Sequence, residues 1–319
     1  MRAHDFDTAI TRRGALLGGG AAVGGLVAAG PLAAGAAART PAARKQSGKL
    51  PSKEIEKILE LEGTVSDGVL SIDVSRDDIG KVRGPLGVEF DGSFEIDGTL
   101  TFQPLGGDLA FFNGDLPLKP RETQPFIDAI IANRLVWQAF HQHYIEMSPN
   151  VWFIHWRGVG APLTLARAVR NVLRVTATKL PQKMPANPKS PLDAKRLETI
   201  LRGSAQIGNE GVVTVNVLRS DRIVIDGVRV SPEANISTNI EFKPLGGSTA
   251  WAGPDFAMTG TEVMKVVPLM RRLGWFSGCL YNQETSEAPQ LYFDHMLKRG
   301  DAYSLAAEIR QGLDLTRAH

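Results

Sequence analysis

Apolar and polar residues alternate along two long regions of this chain. Alternation with a period of two predicts strands whose successive side chains point to opposite faces of a sheet. In the first region the predicted strands cover 69–74, 93–97, 99–102 and 109–112. Helical spacing of apolar residues predicts helices over 52–61, 122–138 and 162–173, and over 193–201, 262–273 and 303–313 further on. Runs of strands alternating with single helices predict an α+β fold class with antiparallel sheets.

The two regions are copies of one another. The segment Phe102-Gln-Pro-Leu-Gly-Gly107 recurs as Phe242-Lys-Pro-Leu-Gly-Gly247, an offset of 140 residues. The same offset carries Asp115 onto Asp255 and His155 onto His295. A constant offset over such a length indicates duplication. The sequence therefore predicts two tandem units, 53–175 and 193–316, each an antiparallel sheet with about three helices. A Pro/Lys-rich linker (176–192) joins them, and we expect a pseudo-twofold arrangement.

The first 38 residues have the pattern of a twin-arginine signal peptide. Arg12-Arg13 precedes a Gly/Ala-rich apolar run that ends in small residues near Ala38. Glycine and alanine make this run too weakly apolar for a typical membrane anchor, so no stable membrane span is expected after cleavage. Residues 39–52 are rich in Pro, Ala and Lys and predict a disordered tether. We expect an exported protein of the extracellular or cell-envelope space.

Composition narrows the possible partners. The net charge is +2, and the 22% of charged residues are of both signs and scattered, so the sequence does not indicate a nucleic-acid partner. Cys279 is the single cysteine and excludes an internal disulfide, so the exported fold depends on its hydrophobic cores. The expected partner is a small-molecule or cell-envelope ligand. Nothing in the pattern specifies an oligomeric state.

Histidines concentrate in one segment of the first repeat. Three of the six lie between 141 and 155. If 148–150 form the loop of a hairpin, His143 lies directly opposite His155, and His141 points to the same face as His143. Three converging imidazoles are the ligand set of a catalytic zinc site. We therefore predict a divalent metal on these three residues, zinc first, with copper, iron or manganese as alternatives. The competing interpretation is three packed sheet histidines among aromatic residues.

The second repeat retains only part of this pattern. Tyr281 and Gln283 stand where the paired histidines would be, whereas Glu287 and His295 remain, and these four residues form a degenerate secondary site. Either the first repeat holds the only working site, which we favour, or the repeats share a composite site across their interface. Glu146 is the nearest candidate for a general acid or base, provided that a β-bulge turns it toward the histidines.

Taken together, the leader, the duplication, the Phe-x-Pro-Leu-Gly-Gly turn and the segment from Phe140 to His155 resemble the LppY/LpqO family of secreted bacterial lipoproteins. The resemblance covers both repeats and implies a duplicated domain of unknown function. In that family a glutamate is expected where Met147 stands here, and the lipoprotein cysteine is missing from this leader. The resemblance therefore bears on the fold and the site more than on an activity.

Two classes of function fit the sequence. One is an extracytoplasmic metalloenzyme, in which the metal activates water or oxygen on a small or cell-envelope-derived substrate. The other is a secreted, non-catalytic module that binds or carries a metal or ligand. The sequence does not choose between enzyme and binding protein.

Overall fold

The computed structural model describes residues 49–318. The predicted signal peptide and residues 39–48 of the predicted tether lie outside the described residues. Leu50, inside that predicted tether, is buried in the first hydrophobic core, so the packed chain starts slightly earlier than its composition suggests. Within 49–318, none of the helices has the length and apolar character that a membrane crossing requires.

Between residues 49 and 175 the chain forms three α-helices and eight strands. The helices are α1 (Ser52–Leu59), α2 (Thr123–Ala132) and α3 (Pro162–Leu173). The strands are β1 (Thr64–Ser66), β2 (Val69–Ser75), β3 (Val82–Arg83), β4 (Glu89–Phe90), β5 (Asp97–Gly106), β6 (Leu109–Leu118), β7 (Val136–His141) and β8 (Trp152–Gly160). Six of them make an antiparallel sheet in the order β1-β2-β5-β6-β8-β7.

The second repeat reproduces this plan. Its helices are α4 (Ala194–Leu201), α5 (Gly260–Arg272) and α6 (Ala302–Leu313). Its strands are β9 (Ser204–Ile207), β10 (Val213–Val217), β11 (Ile223–Ile225), β12 (Val228–Val230), β13 (Thr238–Gly246), β14 (Thr249–Thr259), β15 (Phe276–Tyr281), β16 (Glu287–Ala288) and β17 (Leu291–Asp301). The large sheet has the order β15-β17-β14-β13-β10-β9. The predicted α+β fold with two tandem antiparallel units is confirmed.

Each large sheet has an apolar outer face and an inner face that carries polar side chains. On β2 the outward residues Leu70, Ile72 and Val74 are fully buried in a core shared with Phe126 of α2 and Val169 of α3. Because strand side chains alternate, Ser71 and Asp73 point the other way, toward the second repeat. The two inner faces meet through apolar contacts at their margins, where Phe111 and Phe293 belong to one cluster. Helices thus lie outside, and the two sheets enclose the middle.

Reciprocal contacts show that a pseudo-twofold relation links the repeats. Gln103 accepts a hydrogen bond from the Ser231 backbone N–H at 2.7 Å. The position equivalent to Gln103 is Lys243, and it forms an ion pair with Asp91, the position equivalent to Ser231. When residue i of one copy contacts residue j of the other, and j contacts i in return, the interface is isologous. The duplicated chain therefore packs as a homodimer would.

Two predicted elements differ from the structure. The helix predicted over 122–138 ends at Ala132, because Arg134 has a left-handed backbone (φ 57°) and the β-forming residues that follow pair with β8 instead. The strand predicted over 93–97 is a turn, in which the backbone N–H groups of Phe94 and Ile96 donate to the Asp91 carbonyl. Glu95 lies in that turn with φ 67°. This turn carries Glu95 into the space between the sheets.

Candidate metal centre between the repeats

The inner faces of the two sheets enclose a polar cavity of about 110 Å³. The pairing of β6 with β8 places Asp115 opposite His155, and the pairing of β14 with β17 places Asp255 opposite His295. Directly opposed residues in an antiparallel pair share a face. Each sheet therefore contributes one aspartate and one histidine to the cavity, at equivalent positions of the two repeats.

The histidine hairpin has a different register from the predicted one. His155 pairs with Ala139 and His141 pairs with Phe153, so the expectation that His143 lies opposite His155 is wrong. Strand β7 ends at His141, and residues 142–151 form a long loop in place of a three-residue turn. Tyr144, Met147 and Val151 of this loop are buried in an apolar cluster that includes Leu297 of the second repeat. Burial of these side chains, and not a tight turn, fixes where His143 lies.

Glu95, His143 and His295 form a compact trio in the cavity. The distance from Glu95 Oε2 is 3.2 Å to His143 Nδ1 and 3.7 Å to His295 Nδ1. The potential ligand atoms all lie within 4.8 Å of one another. Metal–ligand distances of about 2.0–2.2 Å put ligand atoms roughly 3–4 Å apart, so small side-chain movements suffice to hold one ion. The first repeat supplies two members of the trio and the second supplies one.

Burial determines the charge states in this trio. All three side chains are more than nine-tenths buried. Burial, and then the neighbouring histidines, hold the pKa of His143 and of His295 well below the usual range, so both imidazoles are neutral and keep a free lone pair. Burial also raises the pKa of Glu95 to about 8, although the Tyr144 hydroxyl donates a hydrogen bond to Oε1 at 3.0 Å. A bound cation would offset the burial cost of the Glu95 carboxylate.

The other two predicted ligands pair with each other. His141 Nε2 lies 3.0 Å from His155 Nε2, so one imidazole donates and the other accepts. Burial lowers the pKa of His155 to about 3. The Tyr281 ring stacks on the His141 ring with centroids 3.6 Å apart, and the Cys279 sulfur lies 3.8 Å from His141 Nδ1. The structure therefore places His141, His143 and His155 around one cavity but divides them between two groups.

Three other predicted residues lie away from the trio. Glu146 is exposed and does not line the cavity. Glu287 is buried, but it accepts a hydrogen bond from the Leu291 backbone N–H at 2.8 Å and stabilises its own loop. Gln283 lines the cavity and donates to the Asn235 carbonyl. The residue at the position equivalent to Glu287 is Met147, which is part of the apolar cluster. A glutamate at this position of the repeat therefore does not complete a histidine face.

The sequence analysis missed Glu95. This residue follows the predicted strand pattern, lies far from the histidine segment, and its equivalent in the second repeat is Asn235. Identity between the repeats therefore does not mark it. The available signal was the pair Asp115 and Asp255, which the offset does preserve and which line the cavity beside the trio. Asp255 Oδ2 lies 3.7 Å from His295 Nε2 and orients that ring.

Comparison with known proteins identifies the family and leaves the activity open. No curated protein and no solved structure matches this chain. A family described as Domain of Unknown Function (DUF1259) matches twice, over residues 53–175 and 195–315. The two matches together cover most of the chain and agree with a duplicated domain. The chain therefore belongs to the family described as Domain of Unknown Function (DUF1259).

Proposed function

We propose that this is an exported protein in which Glu95, His143 and His295 hold one divalent transition metal. Two imidazoles and one carboxylate with open positions are the ligand set of several zinc hydrolases and of non-haem iron sites. Zinc is the first candidate, and copper, iron and manganese are alternatives. Export rests on the twin-arginine pattern in the sequence. The resemblance to the LppY/LpqO family accords with an envelope location, although this leader has no lipoprotein cysteine.

The observation that carries the proposal is the buried, neutral state of the imidazoles beside a buried carboxylate. Within residues 49–318, this is the one group of three His, Cys, Asp or Glu residues with ligand atoms close enough to share an ion. His295 Nε2 is buried and has no hydrogen-bond partner. Burying polar groups without partners is costly, and a metal with its own ligands and waters would remove much of that cost.

As an enzyme, the protein would use the metal to polarise a small or cell-envelope-derived substrate or its attacking water. Asp255 is better placed than Glu146 as the general acid or base. It lines the cavity beside His295, and burial holds its pKa well above the usual range for an aspartate. A group with a raised pKa can carry a proton at neutral pH.

A second function, the non-catalytic binding or carriage of a metal, is favoured by the depth of the trio. The exposed fractions of Glu95, His143 and His295 are 6%, 8% and 6%, which leaves little surface for a substrate to approach. Structural metal sites are closed in this way, whereas catalytic sites keep a position open. Asp255→Asn separates the two functions, because an enzyme loses turnover with its metal retained, while a carrier keeps both its metal content and its affinity.

The test of the metal site is elemental analysis of the mature protein, purified without a polyhistidine tag. We expect close to one metal ion per chain, lost in His143→Gln. The matched control is Gln283→Ala, which changes the equivalent position of the other repeat and should retain the ion.

Two results would contradict the proposal. The first is a folded wild type that takes up no metal after incubation with zinc, copper, iron and manganese salts. The second is a metal that survives His143→Gln but disappears in the double variant His141→Ala/His155→Ala. That outcome would place the ion on the other histidine pair.

A further inference from the structure

A second, larger cavity of about 380 Å³ opens between the two sheets and leads to the metal trio. It shares lining residues with the inner cavity, so the two are continuous; those residues are Asp73, Asp97, Thr99, Thr214, Asn235, Asn239 and Glu241. We call the larger cavity the cleft. Its volume is in the range of small-molecule sites.

The walls of the cleft follow from strand alternation. In β2, Leu70, Ile72 and Val74 pack against the helices, so Ser71, Asp73 and Ser75 point into the cleft. In β10, Val213 and Val215 pack against the helices of the second repeat, so Thr214 and Asn216 form the opposite wall. Both walls therefore present hydroxyl, amide and carboxylate groups to whatever occupies the space.

The charge of the cleft is opposite in sign to that of the whole chain. The acidic residues that line it are Glu62, Asp73, Asp77, Asp97, Glu233 and Glu241, and Lys183 is the one cation among the described lining residues. The chain as a whole carries a net charge of +2. A concave surface of one sign attracts ligands of the opposite sign. The cleft therefore repels anions and attracts cations.

A single additional metal ion does not account for these carboxylates. Within residues 49–318, the Glu95, His143 and His295 trio is the one set of three ligands close enough to chelate an ion. The carboxylates of the cleft are more widely spaced and fit separate positive groups on one larger molecule. The deep end of the cleft also contains an unpartnered donor or acceptor, since His295 is 6% exposed and its Nε2 has no hydrogen-bond partner.

We infer that the cleft binds a small organic molecule with several protonated primary amines, and presents it to the metal trio. This inference rests on the proposed function, whose substrate class it names. Ammonium groups donate hydrogen bonds to carboxylates, and the hydroxyl and amide groups of the walls accept the remaining donors. No aromatic residue lines the cleft, so the site lacks the flat apolar surface on which an aromatic or sugar ring stacks. A flexible aliphatic amine therefore fits better than a rigid ring.

The test is calorimetric titration of the zinc-loaded mature protein. The probes are spermidine and the non-acetylated trisaccharide of glucosamine, which share the amine chemistry and distinguish a polyamine from an amino sugar. The N-acetylated trisaccharide and citrate serve as the neutral and anionic comparisons. We expect at least one amine probe to bind, and Asp73→Asn to weaken it roughly tenfold, because a charged hydrogen bond is lost. This substitution places in β2 the residue type that β10 already has at Asn216.

Glu54→Gln is the control, because Glu54 is an exposed carboxylate on α1 outside the cleft and its loss should leave binding unchanged. The inference is overturned if neither amine binds, if citrate or the acetylated trisaccharide binds as tightly, or if Asp73→Asn has no effect. Elemental analysis and titration of His143→Gln are run on parallel samples. Amine binding without metal would refute the metal site alone, and metal without amine binding would refute the cleft ligand alone.

Discussion

The two halves of the central cavity are built from equivalent positions and differ in chemistry. One half contains Glu95, His143 and His295. Applying the offset of 140 residues gives the other half as Asn235, Gln283 and His155. Both halves share the same sheets, the same paired aspartates and the same reciprocal packing. The duplicated fold therefore supplies two symmetric frames, and two side chains decide which of them can hold a metal.

The backbone makes the same comparison independently of the side chains. Glu95 has φ 67° and Asn235 has φ 62°, so both lie in the left-handed region. Asparagine is among the residues that tolerate this conformation best, whereas glutamate pays a steric cost there. Strain of this kind persists where the surrounding structure holds it in place, and it concentrates at functional sites. The strained half is the half with the ligand set.

The largest expected effect is the creation of a second metal site. Asn235→Glu and Gln283→His would install the missing ligands beside His155. A third change, Asn113→Gly, is also needed, because the equivalent position opposite Glu95 is Gly253, where an added Cβ would meet Glu95 Oε1. We expect the triple variant to bind two metal ions per chain instead of one, measured by elemental analysis.

The double variant without Asn113→Gly is the control. It should bind less of the second ion, since the Asn113 side chain occupies the space that the new glutamate requires. If the triple variant folds and still binds one ion, the comparison between the halves fails, and some feature other than these positions determines metal binding.

The reverse change should have opposite effects on function and stability. Glu95→Asn makes the first half resemble the second, so the metal should be lost. At the same time the metal-free protein should become more stable, by up to about 1 kcal/mol, because asparagine relieves left-handed strain and removes a buried carboxylate. Urea denaturation of the chelator-treated proteins measures this difference. A variant less stable than the metal-free wild type would show that Glu95 stabilises the fold through its hydrogen bonds with Tyr144 and His143.

Much of the fold could be predicted from the sequence because alternation and duplication are local or repetitive signals. The amphipathic helix over 162–173 matches α3, and the paired glycines after Leu105 have positive φ in the turn between β5 and β6. The helix predicted over 122–138 extended too far, since its apolar residues continue without interruption into an edge strand. In that stretch, the left-handed Arg134 marks the boundary, and its residue type does not reveal it.

The site was harder to predict because contacts between the repeats determine it. The histidine segment correctly drew attention to the cavity, but the partners of His143 come from a turn 48 residues earlier and from the other repeat. The length of the hairpin loop depends on burial of Tyr144 against the second repeat. No pattern within the segment itself contains that information.

A smaller effect is expected from the hydrogen bond to the carboxylate of the trio. The Tyr144 hydroxyl donates to Glu95 Oε1, whereas the equivalent position in the other half is Glu284, which has no such role. Groups that orient metal ligands typically contribute about 10- to 100-fold to metal affinity. We expect Tyr144→Phe to weaken zinc binding about tenfold in a competition titration with a chelator. Tyr292→Phe is the control, and an equal loss in both variants would argue against a specific role for Tyr144.

The smallest effect concerns Glu284 itself and depends on pH. Burial, and then the charge of Glu287, raise its pKa to about 8, although Arg157 Nε lies 3.6 Å from Oε2. A raised carboxyl pKa means that the folded state binds the proton more tightly than the unfolded state, so this contribution to stability is present at low pH and is lost as the pH rises through 8. In Glu284→Gln that loss should disappear, which flattens the stability curve between pH 5 and 8.5 by at most about 1.4 kcal/mol per pH unit. Urea denaturation at both pH values, with exposed Glu146→Gln as the control, measures the change. Parallel curves for wild type and Glu284→Gln would mean that Arg157 keeps this carboxylate ionised, and the second half of the cavity would then contain a buried ion pair where the first half has Tyr144.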